Sequence, residues 1–361
     1  MKYAYWLNNV PGIGSVKIQN LLEEVSCAQE LFELPLAQLR NLKSVSEEDL
    51  KVIHKSRREW ELDKEWFSLM EKGIGFVSRE QKHFPEKLSH IEDPPYGLYY
   101  IGRLPDENRK SVAIVGARGR SAYGSEMAHR LAKALSEYGV QVISGMAKGI
   151  DSDAHRGALE GSGDTFAVLG NGIDVCYPST NRYLYDQMTV RGGLISEYPP
   201  GKQPFPGQFP ARNRIISGLS DCVAVIEAKE KSGSLITADF AMEQGRDVYA
   251  LPGRVTDALS QGCNHLIKQG AGIIQSVEDF LKDLDVLTEK NYMQLDFCKN
   301  VLEKDERLVY SVTDFRPVSF GTLIEKTHIP ITRLVEILEK LENLGMIKET
   351  FTNYYVRTIA N

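Results

Sequence analysis

Seven short apolar runs alternate with segments of helical periodicity between Val112 and Ile274. The runs are Val112–Val115, Val140–Ser144, Thr165–Leu169, Gly193–Ser196, Asp221–Ile226, Asp247–Leu251 and Gly272–Ile274. Between them, Tyr123–Tyr138, Ile150–Glu160, Asn181–Val190 and Leu235–Gly245 carry apolar residues at helical spacing. Continuous apolar runs, rather than alternating ones, suit strands covered on both faces, so the pattern predicts an α/β fold with a parallel, doubly wound sheet. Ligands of such sheets sit at the carboxyl ends of the strands, where glycine-rich turns fall in this chain. Residues 1 to 70 read as helical, with Leu, Val and Ile at helical spacing. After a turn-rich passage comes the alternating region, then a charged stretch after Lys282. A compact unit, 297–357, follows: Ser319–Thr327 reads as a short helix, Ile331–Leu344 as a longer one, and Ile347–Val356 as a β-ribbon turning at Thr352-Asn353.

Composition changes little in this picture. The chain has 361 residues, 42% of them hydrophobic and 25% charged, with a net charge of −6. Contact with nucleic acid must therefore come from a local basic patch on a mildly acidic protein. Cys27, Cys176, Cys222, Cys263 and Cys298 are scattered and never in C-x-x-C spacing. That argues against a zinc site and for reduced thiols in a cytoplasmic setting. No apolar run approaches the roughly 20 residues of a membrane-spanning helix, and the N-terminus lacks the apolar core of a signal peptide.

The candidate chemistry is phosphate binding. After the first parallel strand comes VGARGRSAYG, in which Gly116 permits a tight turn, Arg118 and Arg120 can reach an anion and Ser121 can cap the next helix. It departs from the G-x-G-x-x-G dinucleotide fingerprint, and Ser144-Gly145 stands where the ribose-binding acid belongs, so no nucleotide cofactor is expected. After the second strand, Gly145 and Gly149 permit close backbone approach and Lys148 can neutralise phosphate. Asp151, Asp153 and His155 have the residue types of a metal or acid–base set, but the two carboxylates stand at a helix start, where capping and internal polar contacts are the simpler use. After the third strand, Gly170 and Gly172 mark another turn, and Tyr177-Pro178 then Asn181 mark entry to a helix. The stretch from Phe209 to Gly253 is the most informative. Arg212, Asn213 and Arg214 precede a strand, and Ser232, Gly233 and Ser234 open a helix that includes Thr237. Free N–H groups at such a turn, with planar guanidiniums nearby, suit an anion. Near the N-terminus, V-P-G-I-G-S at Val10–Ser15 has the form of a helix-hairpin-helix turn, or of an ordinary turn between two helices.

In their joint order VGARGRSAYG, SGMAKGIDSDAH, LGNGIDVCYP, SEYPPG, FPARNRIISGL, SGSLITADFAMEQGRDVYALPG and QGCNHLIKQGA resemble the DNA-processing protein A family, also called DprA or Smf. The resemblance covers nearly the whole chain. It implies a helical helix-hairpin-helix or SAM-like domain over 1–70, an extended Rossmann-like DNA-binding domain over 71–285 and a winged-helix domain over 290–361. It further implies a cytoplasmic homodimer that binds single-stranded DNA during natural transformation, protects the incoming strand and helps load the RecA recombinase, with no enzymatic turnover, no metal and no cofactor. The family's DNA-contacting arginine matches Arg118 and its base-contacting aromatic matches Phe209. Some members carry lysines where this chain has Ser179 and Pro206, and Arg182 and Lys202 stand close enough to substitute. In the C-terminal unit, Glu336, Glu339 and Glu342 on the second helix argue against duplex binding and for a protein-contact or DNA-avoiding role.

Two rival functions have distinct signatures. A Rossmann-like LOG-type nucleoside-monophosphate phosphoribohydrolase uses a P-G-G-x-G-T run with a downstream glutamate; the nearest text here is Ser232–Thr237 with Glu243, without the double glycine. A nucleotide-sensing regulator would bind duplex DNA through its winged helix.

Overall fold

The computed structural model describes residues 1–161, 163–286, 303–313 and 317–357. The stretch 287–302, including Cys298, lies outside the described residues. The chain divides into two compact units, Met1–Leu284 and Asp285–Asn361.

The first unit is built on a nine-stranded sheet. Its strands are β1 (Gly75–Ser78), β2 (Gly97–Gly102), β3 (Ser111–Val115), β4 (Gln141–Ser144), β5 (Thr165–Leu169), β6 (Gly192–Ser196), β7 (Cys222–Val225), β8 (Asp247–Ala250) and β9 (Gly272–Ile273). Their order across the sheet is β1-β2-β6-β5-β4-β3-β7-β8-β9. From β6 to β9 all neighbours are parallel, as the apolar runs predict, and every residue of β3, β4, β5, β6 and β7 is buried. The β1–β2 pair is antiparallel and extends the sheet beyond β6. The chain proceeds outward from β3 through β4 and β5 to β6, then returns to lay β7 against β3 before continuing to β8 and β9. The carboxyl ends of β3 and β7 therefore diverge at a topological switch point, the place where open α/β sheets bind ligands.

Helices Ala122–Glu137 and Ile150–Glu160 cover the sheet at β3 and β4 and press closely together. A Cβ at Gly157 would stand 2.0 Å from the carbonyl oxygen of His129, so only glycine allows this spacing. Gly149, just before the second helix, has φ +86°, and a Cβ there would stand 2.3 Å from the carbonyl of Ala117. Its role is to let the turn after β4 press against the turn after β3.

The N-terminal helices share a core with the sheet. Trp6, Leu7, Ile18, Leu21 and Leu31 are buried in one cluster with Phe76, Tyr99, Ala167, Leu169 and Leu194. The Tyr99 hydroxyl accepts hydrogen bonds from the side-chain amides of Asn8 (3.1 Å) and Asn9 (2.7 Å). Trp6 is wholly buried and donates to Ser56 Oγ at 3.0 Å. The turn at Val10–Ser15 is docked inward at one end: Ser15 Oγ donates to Glu197 at 3.2 Å.

In the second unit, helices Lys304–Val312, Phe320–Thr327 and Ile331–Asn343 pack around Leu323, Leu334, Ile337, Leu338 and Leu341. Strands β10 (Val318–Ser319), β11 (Ile347–Phe351) and β12 (Tyr354–Arg357) form an antiparallel sheet ordered β10-β12-β11. Asn353, in the tight turn between β11 and β12, takes φ +64°, a conformation that asparagine tolerates.

Because one core joins the N-terminal helices to the sheet, Trp6→Ala is expected to destabilise the unit as a whole. The cost should be about 3–5 kcal/mol, read by calorimetry as a lower midpoint of the sheet's own transition. A separate early transition of the helices alone would contradict the shared core.

Candidate nucleic-acid interface

At the switch point the turns after β3, β4, β5 and β7 meet helix Gln208–Gly218 around a cleft of about 540 Å³. Each wall is tied to its neighbour. The N–H of Ala117 donates to the carbonyl of Glu227 at 2.7 Å, and the Ile150 N–H donates to the carbonyl of Ala117 at 3.3 Å. The buried Glu227 carboxylate accepts from the Ser121 N–H (2.9 Å) and from the Ser121 hydroxyl. Ser121 thereby fixes the turn after β3 and caps the helix it opens, its Oγ accepting from the Gly124 N–H.

Arg212 is the inner staple. It is buried and donates to the carbonyls of Gly145 (2.8 Å) and Val168, joining the ends of β4 and β5 to helix Gln208–Gly218. Asp151 lies beside it and accepts from the N–H groups of Gly145 (3.1 Å) and Ala147 (3.3 Å). Burial pushes the Arg212 guanidinium down to about 10, against the pull of Asp151, so it stays charged at neutral pH. Burial pushes the Asp151 carboxyl up, and the positive charge of Arg212 opposes that rise.

The outer wall is aromatic. The Phe209 ring stacks on Tyr177 with centroids 5.6 Å apart and planes at 28°. The Arg118 guanidinium lies over the same ring at 5.6 Å. Opposite them, helix Gly233–Glu243 points its N-terminus into the cleft. Its N-cap Ser232 makes no side-chain cap; the Ser232 hydroxyl instead meets Ser234 Oγ at 2.8 Å. Asn213 bridges the two sides by donating to the carbonyl of Gly233 at 3.2 Å. An uncapped helix start with the positive end of its dipole, facing guanidinium and ammonium groups, is a site for an anion. A planar stack beside it suits an aromatic base.

The sequence profile of the DNA recombination-mediator protein A family matches residues 75–285. This chain belongs to that family. A curated relative, Protein Smf of Synechocystis, is 37% identical over 290 residues, spanning 79% of this chain and 73% of the relative. The DNA processing protein DprA of Streptococcus pneumoniae is 46% identical over 202 residues, 56% of this chain and 71% of that protein. The X-ray structure of the Streptococcus pneumoniae protein superposes with a TM-score of 0.70 at 38% identity, covering 78% of this chain and 97% of its own. A second solved structure, described as giving the single-stranded DNA binding mode of DNA processing protein A from Helicobacter pylori, has a TM-score of 0.53 at 30% identity and covers 58% of this chain and 95% of its own.

Within this family fold the residues singled out from the sequence separate into four groups. Gly116, Arg118, Phe209, Arg212, Asn213, Ser232, Gly233, Ser234 and Thr237 line the cleft. Ser121, Gly145 and Gly149 stand behind it and shape its walls. Lys148 and Lys202 are exposed on adjoining turns. Arg214, Arg120 and Arg182 are committed elsewhere. Arg214 is buried and ion-paired with Glu197 (2.8 Å) and Asp93 (3.2 Å). Burial lowers its pKa, but those carboxylates more than restore it, so its charge is held internally. Arg120 pairs with the buried Asp153, and Arg182 pairs with Asp186 at 3.0 Å. Three cleft residues carried no clear signal in the sequence. Lys229 and Lys231 are exposed on the turn after β7, and Tyr177 stood as the start of a helix entry. None of Arg118, Lys229 and Lys231 is ion-paired among the described residues.

Asp151, Asp153 and His155 do not converge on a metal; among the described residues no cluster of His, Cys, Asp and Glu has metal-binding geometry. Likewise no helix there is long and apolar enough to cross a membrane. His155 is wholly buried, with Nδ1 2.8 Å from Thr165 Oγ1. Burial, reinforced by the charge of Arg212, pushes its pKa down to about 3. The unfolded chain takes up this proton near pH 6.5 and the folded one does not, so the stabilisation is complete above about pH 6.5 and is lost as pH falls from there toward 3. His155→Asn, which stays neutral, should lose stability less steeply than the parent across that window in urea titrations at stepped pH. Identical slopes would show that His155 is not held neutral.

Proposed function

We propose that this protein binds single-stranded DNA in the cleft at the β3–β7 switch point. The observation that carries the reading is one geometry: a planar wall of Phe209 and Tyr177 with Arg118 over it lines the same cleft as the unpaired Lys229 and Lys231 and an uncapped helix start. Phosphates are neutralised on one side and a base stacks on the other. Stacking is worth about 1–3 kcal/mol per base and tolerates any sequence, because every base has a π-face. Arg118 and Phe209 carry the contacts with the strand; Arg212 and Ser121 keep the walls in register; Lys148 and Lys202 extend the basic rim. The single-stranded DNA binding mode described for the Helicobacter pylori relative supports the same ligand here.

In this reading the protein acts in natural transformation, as a cytoplasmic homodimer that shields incoming strands and passes them to the RecA recombinase without chemical turnover. Two linked grooves hold a long strand better than one, since the second contact is made intramolecularly. The C-terminal unit is a winged helix that contacts protein rather than duplex DNA. Helix Ile331–Asn343 has its cations occupied: Arg333 pairs with Glu336 (3.0 Å) and Glu303 (3.2 Å), and Lys340 with Glu306 (2.6 Å). The phosphoribohydrolase alternative finds no support. Glu243 closes helix Gly233–Glu243, about 15 Å along the axis from the turn it would have to serve.

The test is a titration with single-stranded and duplex oligonucleotides at two salt concentrations. Single strands should bind at least about tenfold more tightly. Their affinity should fall with salt in proportion to the phosphates neutralised, at roughly 0.7 of a counterion each. Arg118→Ala should weaken binding, reduce the salt slope by about 0.7 and leave the melting temperature near that of the parent. Equal affinity for duplex, or a salt-independent affinity, would overturn the proposal.

A further inference from the structure

The floor of the cleft holds one acceptor and one donor that the fold leaves unused. Asp151 lines the cleft and is 6% exposed. Its Oδ2 accepts from the N–H groups of Gly145 (3.1 Å) and Ala147 (3.3 Å). Its Oδ1 has no hydrogen-bond partner among the described residues. Arg212 lines the same cleft and is 5% exposed. Its Nη1 donates to the carbonyls of Gly145 and Val168, and its Nε donates to Asn213 Oδ1 at 3.3 Å. Its Nη2 has no partner among the described residues. Neither free atom is sealed from solvent, and the cleft is the open space that both residues line.

The two groups lie side by side. A Cβ at Gly145 would stand 2.6 Å from Arg212 Nη2 and 2.7 Å from Asp151 Oδ2, so the pair shares the room that a side chain at this position would take. Burial raises the Asp151 pKa, and the charge of Arg212, the two N–H bonds and the charge of Arg118 oppose that rise. As a carboxylate the group accepts and cannot donate. Leaving a buried carboxylate oxygen and a guanidinium N–H unsatisfied costs stability, which a ligand that pairs with both would recover. Phe209 stands three residues before Arg212 on helix Gln208–Gly218, so ring and guanidinium lie on one side of that helix.

We propose that Asp151 and Arg212 recognise the Watson–Crick edge of a base stacked on Phe209, Oδ1 accepting from a base N–H and Nη2 donating to the acceptor beside it. This deepens the single-strand reading above and rests on it. Each of the four bases carries an N–H next to an acceptor on that edge, so the pair selects an unpaired base and not a particular one. In a duplex the same edge is occupied by the opposite strand. The cleft floor thus supplies selectivity for single strands, while stacking and phosphate neutralisation supply affinity for any sequence.

The test uses the full-length protein and two short single strands, an oligothymidine and the same strand with every thymine replaced by difluorotoluene. That isostere keeps the shape and ring face of thymine and lacks its N–H and carbonyl groups. The parent should bind the isostere strand at least about tenfold more weakly, with the same salt slope because the phosphates are unchanged. Asp151→Asn can keep the bonds from Gly145 and Ala147 through its amide oxygen, which turns the amide NH2, a donor, toward the base. In that variant the penalty for the isostere should shrink to about threefold or less. Without any variant, the thymine imino proton of an isotopically labelled strand should become protected from solvent exchange when the parent binds it, as read by NMR. Equal affinity of the parent for the two strands, or an imino proton that exchanges as fast as in the free strand, would overturn the proposal and leave the single-strand reading intact. An undiminished isostere penalty in folded Asp151→Asn would do the same. If the parent fails to bind the oligothymidine at all, the reading and the proposal fall together.

Discussion

The hydrogen bonds from the buried Arg212 guanidinium to the carbonyls of Gly145 and Val168 set the geometry on which the cleft depends. Strand ends present carbonyls that the sheet itself cannot satisfy, and an unpaired buried carbonyl costs as much as a lost hydrogen bond. Arg212 satisfies two of them at once and in doing so fixes helix Gln208–Gly218 across the ends of β4 and β5. Three residues earlier on that helix is Phe209, so the same staple sets the height of the aromatic wall. Asp151 offsets part of the buried charge. Removing either partner would leave the other without its compensating charge in the interior, which is far costlier than removing an exposed pair. Glu227 does the corresponding work on the other wall, holding the Ser121 turn to the end of β7.

Most of the sheet was legible in the sequence because parallel strands buried on both faces must be continuously apolar. All seven runs from Val112 to Ile274 are strands. The antiparallel β1 and β2 were not legible: they are short and lie in a passage dominated by turn residues such as Pro85 and Pro94-Pro95. Helix Gln208–Gly218 escaped for two reasons. Pro210 reads as a helix breaker but sits in the first turn, where its missing N–H costs nothing. Most of the helix circumference is also buried, so no apolar stripe marks one face.

That missed helix explains which site residues the sequence could and could not sort. At 3.6 residues per turn, Arg212 and Arg214 point to nearly opposite sides. One staples the cleft and the other pairs with Glu197 and Asp93 away from it. As a linear string, Arg-Asn-Arg offers two equivalent anion donors; on the helix one guanidinium staples backbone carbonyls and the other is ion-paired. Tyr177 shows the converse. A Tyr-Pro pair before a helix is an ordinary entry signal, and only the folding of the turn after β5 against helix Gln208–Gly218 brings its ring onto Phe209. The same sorting governs charge. Arg120, Arg182 and Arg214 are neutralised within the fold, whereas Arg118, Lys229 and Lys231 line the cleft without an ion pair among the described residues, so a chain of net charge −6 still has a local basic patch.

Hydrogen exchange read by mass spectrometry, with and without a saturating single-stranded oligonucleotide, tests the location of binding most directly. Amides at 115–121, 206–213 and 229–237 should gain protection together, because all three segments wall the cleft. Protection confined to the turn at 10–15 or to the C-terminal unit, with those three segments unchanged, would contradict a nucleic-acid site at the β3–β7 switch point.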